Sequence, residues 1–249
     1  MPYLVHTAHA QLVALWLGTV GWTLVIVTVG LVEWRVWEVS DLSFITSGLA
    51  WVGIWRVCFY SHALILSDNQ IMFCQRIRLS ESFTPPEIAA AQVLMLVALF
   101  LGLAGNASVI YGLRNVYFGL NKIRSAFASG GVLLILTGAS SLVPVCWNLR
   151  SVVNNQTISF PAEFRMPSAP TISFPAEFRM PSAPVNQSIG PGIIVGIFAS
   201  VLLVFSGLVF LSYRAPVMLE PKVRLSWPGE GPSGTHVNHQ GIDNPAFQS

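Results

Sequence analysis

The sequence predicts a four-pass integral membrane protein, a bundle of four membrane-length helices whose first external loop carries short strands. Three observations carry that prediction. Only 10% of the 249 residues are charged and 53% are hydrophobic, whereas a soluble domain has about a quarter of its residues charged. The apolar residues gather in long blocks free of charge, rather than recurring at helical or strand spacing. Connection 114–125 carries basic residues and no acid, whereas loop 33–87 carries both signs.

A membrane-crossing helix needs about 20 predominantly apolar residues, and as a helix it satisfies its own backbone polar groups in lipid. Segments 10–32, 88–113, 126–149 and 189–213 meet that length and hold no charged residue. The first lacks a basic leading stretch and is too long for the apolar region of a signal peptide. It is read as a first span, with 1–9 as a short N-terminal segment. Orientation follows from lysine and arginine in the flanking segments. Connection 114–125 holds Arg114, Lys122 and Arg124 and no acid, and Arg214, Lys222 and Arg224 follow the fourth span. Loop 33–87 sets Arg35, Arg56, Arg76 and Arg78 against Glu33, Glu38, Asp41, Asp68, Glu81 and Glu87. Both termini and 114–125 are therefore predicted to be cytosolic, and loops 33–87 and 150–188 to be external.

Two sequons in the second external loop agree with that topology: Asn155-Gln156-Thr157 and Asn186-Gln187-Ser188. Asn186 lies close to the membrane, so Asn155 is the better glycan acceptor. A third match at Asn106 falls inside the second span and is set aside.

Three cysteines are too few for a disulfide-built scaffold. Cys146 sits inside an apolar block, where a lone cysteine behaves as a small hydrophobe. Cys58 and Cys74 share the first loop, and on an oxidising side of the membrane they can bridge, contributing roughly 3 kcal/mol on the chain-entropy model. Stretches 34–39 and 71–77 alternate as strands do. Strands above a helix bundle need a pin and an anchor. The bridge would pin two of them, and Trp34 and Trp55, rings suited to the membrane interface, would seat them. On their own, without the Gly-x-Trp-x-x-Cys context, the two tryptophans read better as members of an interface belt.

Glu33-Trp34-Arg35, then Gly53-Ile54-Trp55-Arg56-Val57-Cys58, then Cys74 together resemble the claudin signature: a tryptophan near the end of the first span, Gly-Leu-Trp, and two cysteines. Isoleucine replaces the usual leucine at Ile54. Ser129-Gly130-Gly131-Val132-Leu133 through Thr137-Gly138 is similar to the third claudin helix, and Val143-Pro144-Val145-Cys146-Trp147 to its external end. The resemblance implies an integral membrane, all-α, left-handed four-helix bundle with a small extracellular antiparallel β-sheet. It implies no cofactor. It implies assembly with itself or other claudins, in cis within the bilayer and across the cell gap, at tight junctions of the plasma membrane. Charge in the first loop would set ion selectivity, but neutral Gln75 follows the second cysteine and Arg76 and Arg78 come after it. That pattern indicates neither a cation nor an anion preference.

The chain also departs from the family pattern. The interval between the two cysteines is longer than usual, which enlarges the hairpin tip. In Ala89-Ala90-Ala91-Gln92-Val93-Leu94-Met95, glutamine stands where claudins carry an arginine that fixes the loop-to-helix corner. The chain ends Pro245-Ala246-Phe247-Gln248-Ser249 without the Tyr-Val that claudins present to PDZ scaffolds, so no PDZ attachment is expected through that end. Paired cysteines for palmitoylation near the cytosolic ends of spans two and four are missing as well.

Residues 157–170 recur unchanged at 171–184. Two copies do not make a solenoid, and three prolines in each oppose regular helix or a long strand. Phe160, Phe164, Phe174 and Phe178 are candidate contacts across the cell gap, where claudins use an aromatic turn. The favoured reading is a duplication tolerated in an exposed loop. The tail, 214–249, is rich in proline and glycine and is predicted to be disordered and cytosolic. His236 and His239 have no third ligand nearby and bind no metal on this reading.

Enzyme classes find no support. The spans hold no acid, base or histidine of the kind that marks proton relays and transport sites, and no phosphate-cradling loop or zinc pattern occurs. A net charge of +2 with scattered basic residues argues against nucleic acid. A junctional adhesion and barrier protein is the leading expectation. The alternative is an auxiliary tetraspan that modulates a channel or receptor without forming strands.

Overall fold

The computed structural model describes residues 2–38, 48–61, 71–80, 84–118, 123–156, 158 and 186–213. In chain order it contains α1 (Pro2–Gly30), β1 (Arg35–Glu38), β2 (Leu49–Val52), β3 (Arg56–Ser61), β4 (Ile71–Arg76), α2 (Pro86–Tyr117), α3 (Ile123–Val153), β5 (Asn186–Ile189) and α4 (Pro191–Leu211). All four helices are long and apolar enough to cross a membrane.

α2 and α3 run past the charge-free blocks at both ends, because a helix can continue beyond the hydrocarbon once charged residues meet water. At 1.5 Å per residue, the 32 residues of α2 extend about 48 Å, against a hydrocarbon core of about 30 Å. α1 likewise begins upstream of the apolar block, at Pro2.

Large side chains such as Trp16, Phe100, Phe198 and Phe205 point outward, where lipid is as good a solvent as a protein core. Helix association in lipid rests instead on close packing of small residues and on interhelical hydrogen bonds. α3 and α4 meet at Gly131 and Gly207. A Cβ on Gly131 would lie 2.8 Å from the Gly207 carbonyl oxygen, and one on Gly207 would lie 2.6 Å from that of Gly131. The Ser141 and Ser200 hydroxyls share a 2.8 Å hydrogen bond between the same two helices. Ser206 of α4 donates to the Ala14 carbonyl at 2.7 Å, and the Trp22 indole of α1 donates to the Leu99 carbonyl of α2 at 3.0 Å. At the end away from the sheet, Phe127 stacks on Phe210 with centroids 5.6 Å apart and meets Tyr213 edge-on. Cys146, read as a small hydrophobe, is exposed on α3.

The five strands form one sheet in the order β4-β3-β2-β1-β5, and every neighbouring pair is antiparallel. β1, β2, β3 and β4 come from the first loop. β5 comes from the second and pairs with β1 through Arg35↔Ile189 and Trp37↔Gln187. Sequence alone makes 186–188 a loop and places Ile189 in the fourth span. Asn-Gln-Ser-Ile is too short and too polar to show alternation, and only its pairing with β1 makes it a strand. A second apolar cluster beneath the sheet gathers Trp37, Ala50, Val52, Val57, Phe59, Ile77, Ile88 and Ile158. Ile88 ties that cluster to α2.

Candidate functional site at the sheet–bundle junction

The helix ends and the sheet meet around Trp34. Its ring is 1% exposed and lies within the bundle core, and its indole N–H donates to the Thr28 carbonyl of α1 at 2.9 Å. The chain leaving α1 is tied to the start of α4 by backbone bonds, Gly190 N–H to the Trp34 carbonyl at 3.0 Å and Gly192 N–H to the Glu33 carbonyl at 2.9 Å. Gly53 is required by a close approach: a Cβ there would lie 2.8 Å from the Val32 Cα. With Gly53 against the end of α1, Ile54 enters the bundle core and Trp55 packs half-buried upon it. Trp34, Gly53, Ile54 and Trp55 thus form a single plug from the sheet into the bundle.

Cys58 and Cys74 face each other in the β3–β4 register and are disulfide-bonded. Phe59 and Phe73, the next pair, lie 6.4 Å apart by ring centroid. The tip of this hairpin, 62–70, lies outside the described residues.

Gln92, where the family's arginine would stand, uses its amide N–H groups on the corner, while its Oε1 is buried without a hydrogen-bond partner among the described residues. Its side-chain amide donates to the Ile54 carbonyl at 2.7 Å and to the Ile77 carbonyl at 3.1 Å. One neutral side chain on α2 therefore holds both the plug and the strand that returns to the membrane. Gln92→Leu should leave two carbonyls bare at a cost of about 1–3 kcal/mol, measured as a fall in detergent melting temperature. An unchanged melt would mean the corner is held elsewhere.

The residues that sequence reasoning missed form a buried polar cluster under β1. Arg35 is 1% exposed. Its Nη2 donates to Glu87 Oε1 at 3.1 Å and to Asn148 Oδ1 at 2.6 Å. The Ser151 hydroxyl donates to the same Glu87 oxygen at 2.8 Å, with Gln156 Oε1 3.0 Å away as the alternative acceptor for its single proton. The Asn148 amide returns to the Glu87 carbonyl at 3.1 Å, and the Gln187 amide donates to the Gln156 carbonyl at 3.0 Å. The cluster thereby links β1, the first turn of α2, the end of α3 and β5. Burial pulls the Arg35 pKa below its ordinary value, against the opposing effects of the Glu87 hydrogen bond and charge. Glu87 also lies in the first turn of α2, where the helix dipole favours an acid.

Both sequon asparagines are exposed. Asn155 closes α3: it takes the left-handed conformation (φ 51°), its N–H bonds the Val152 carbonyl, and Gln156 N–H bonds the Ser151 carbonyl. That is a Schellman stop with asparagine in the position usually held by glycine. Asn186 reaches Glu38 at 3.5 Å across the β1–β5 pair. Phe160, Phe164, Phe174 and Phe178 lie outside the described residues, as do the tail and the rest of the duplicated unit apart from Ile158.

Residues 19–212 match a family model described as PMP-22/EMP/MP20/Claudin tight junction. Claudin-5 of Homo sapiens is 30% identical over 168 residues, covering 66% of this chain and 69% of that protein. Claudin-9 of Mus musculus is 29% identical over 147 residues, 58% of this chain and 64% of that protein. Claudin-17 of Sus scrofa is 30% identical over 159 residues, 58% and 63% respectively. The match thus spans slightly less than two thirds of claudin-9 and claudin-17 and slightly more than two thirds of claudin-5.

Proposed function

This chain is a member of the claudin family, and on that premise we propose that it is a tight-junction protein of the plasma membrane, contributing to cell–cell adhesion and to paracellular barrier or ion permeability. The observation that carries the reading is the five-stranded sheet plugged into the bundle by Trp34, Gly53, Ile54 and Trp55 and pinned by Cys58–Cys74. A sheet fixed this firmly to its membrane anchor can transmit contact between molecules. β4 and β5 stand at its two edges, the usual place for a neighbour to add. Its partners are further copies of itself or other claudins, side by side in one membrane and across the cell gap, together with the bilayer. Both termini lie in the cytosol on this reading, and the role involves no chemical step.

The test is expression in cells that lack claudins of their own, followed by freeze-fracture imaging of the contacts. Continuous intramembrane strands are the expected result. Protein delivered to the surface without strands, alone or with a co-expressed claudin, would overturn the reading and favour an auxiliary tetraspan.

A further inference from the structure

The β3–β4 pair sets two arginines directly opposite each other, Arg56 against Arg76. Both are exposed, and among the described residues neither has a carboxylate within ion-pair distance. Like charges directly opposite destabilise a sheet, so nothing in the fold itself recommends this pair. The ladder continues one step further through Ile77 N–H to the Trp55 carbonyl at 2.8 Å. Strand alternation then brings exposed Arg78 to the same face as Arg76. Trp55, Arg56, Arg76, Ile77, Arg78 and Leu79 line a groove of about 540 Å³. Its lining is of two kinds, the three arginines and an apolar part formed by half-buried Trp55 and by Leu79, which is 54% exposed.

The groove also has a defined depth. Gln92 holds its inner wall by bonding the Ile54 and Ile77 carbonyls. Gln92 lies six residues into α2 from Pro86, about 9 Å along the helix axis. Gln92 falls near the start of the charge-free block 88–113, so the groove lies beside the loop-side end of the second span. Arginines at that level, beside a tryptophan, are placed to reach lipid phosphates, and a guanidinium fork matches a phosphate or sulfate in two-point geometry.

We propose that this groove holds the phosphate- or sulfate-bearing headgroup of an anionic lipid, with Trp55 and Leu79 lying along the start of its acyl chain. The site rests on the membrane embedding of the chain, and with loop 33–87 external the leaflet is the outer one. A free inorganic anion would use the arginines but leave the apolar wall idle, which favours a lipid over a soluble ion.

The experiment is native mass spectrometry of the full-length protein in micelles containing phosphatidylglycerol, sulfatide or phosphatidylcholine. The variants are the triple Arg56→Gln/Arg76→Gln/Arg78→Gln and the triple with lysine at the same three positions. The fold of each is checked by an intact Cys58–Cys74 bridge and an unchanged melt. Phosphatidylglycerol and sulfatide should be retained over phosphatidylcholine. The glutamine triple should lose that retention by about tenfold or more, and the lysine triple, which keeps charge without the fork, should lose less.

Equal retention by wild type and glutamine triple would overturn the proposal, as would full displacement by millimolar inorganic phosphate, which would mark a free-anion site. Unchanged lipid retention with altered anion flux across a cell monolayer would also overturn it and assign the arginines to the paracellular path. Lipid retention is read on isolated protein, so a failure to form strands leaves this result standing.

Discussion

Glu87→Ala should destabilise the protein by about 3–5 kcal/mol, the cost of leaving a buried charge without its partner. Arg35 is 1% exposed and cannot turn outward to water, because it lies on the covered face of β1 between β2 and β5. With Glu87 gone, its guanidinium would face only the Asn148 oxygen, and the Ser151 hydroxyl would lose an acceptor. Arg35→Met should cost less, since the remaining carboxylate keeps Ser151 and the N-terminus of α2. The double variant Arg35→Met/Glu87→Leu should regain most of the loss, because the desolvation of both charges disappears together. The measurement is thermal unfolding in detergent for the two singles and the double, with surface delivery scored alongside. Additive losses would show that Arg35 and Glu87 are not coupled and that neither depends on the other for its burial. The wild-type melt should also be little changed by added salt, since a pair closed off from solvent is weakly screened.

The contrast between this cluster and the spans shows what the sequence makes legible. Lipid imposes one rule on every residue that touches it, so the four spans are visible as blocks without charge. Trp34, Gly53, Ile54, Trp55 and the two cysteines are visible because their spacing resembles a known pattern, and the structure supplies the reason for each: a plug, a close approach, a cross-strand pair. Arg35 and Glu87 carry no such mark. In sequence both count only as loop charges, and it takes the pairing of β1 with β2 and β5, together with the start of α2 at Pro86, to turn them inward.

One signal does point to the cluster. Asn148 lies in a span otherwise suited to lipid, and a polar amide in such a place commonly bonds to a neighbouring element. Gln92 carries the same signal, although by sequence it reads only as a departure from the family pattern. In the structure its amide holds the corner without a charge. β5 stays hidden for a different reason. Four polar-edged residues have no periodicity to read, and their partner β1 lies about 150 residues earlier in the chain.

Cys58→Ser should cost about 3 kcal/mol on the loop-entropy account, since the bridge closes a separation of 16 residues. Cys58 is fully buried although it lies on the face opposite Val57 and Phe59, so serine would also place a hydroxyl where water does not reach. Cys58→Ala isolates the first effect from the second. Cys74→Ser should match the loss of the bridge alone more closely, its side chain being only half-buried. The double Cys58→Ala/Cys74→Ala should be hardly worse than Cys58→Ala, because one bond cannot be lost twice. The damage should stay local. β3 and β4 retain their register bonds and the Phe59–Phe73 contact, and among the described residues the bundle core reaches this hairpin only through the Ile54–Trp55 plug that leads into it. Helical content by circular dichroism should therefore survive in detergent, while delivery to the cell surface falls and the remaining protein stays in the secretory pathway. Normal surface delivery with an unchanged melt would show that the strands hold their register without the bridge. Loss of helical content would show instead that the sheet is needed for the bundle to form, and that plug and bridge act as one unit.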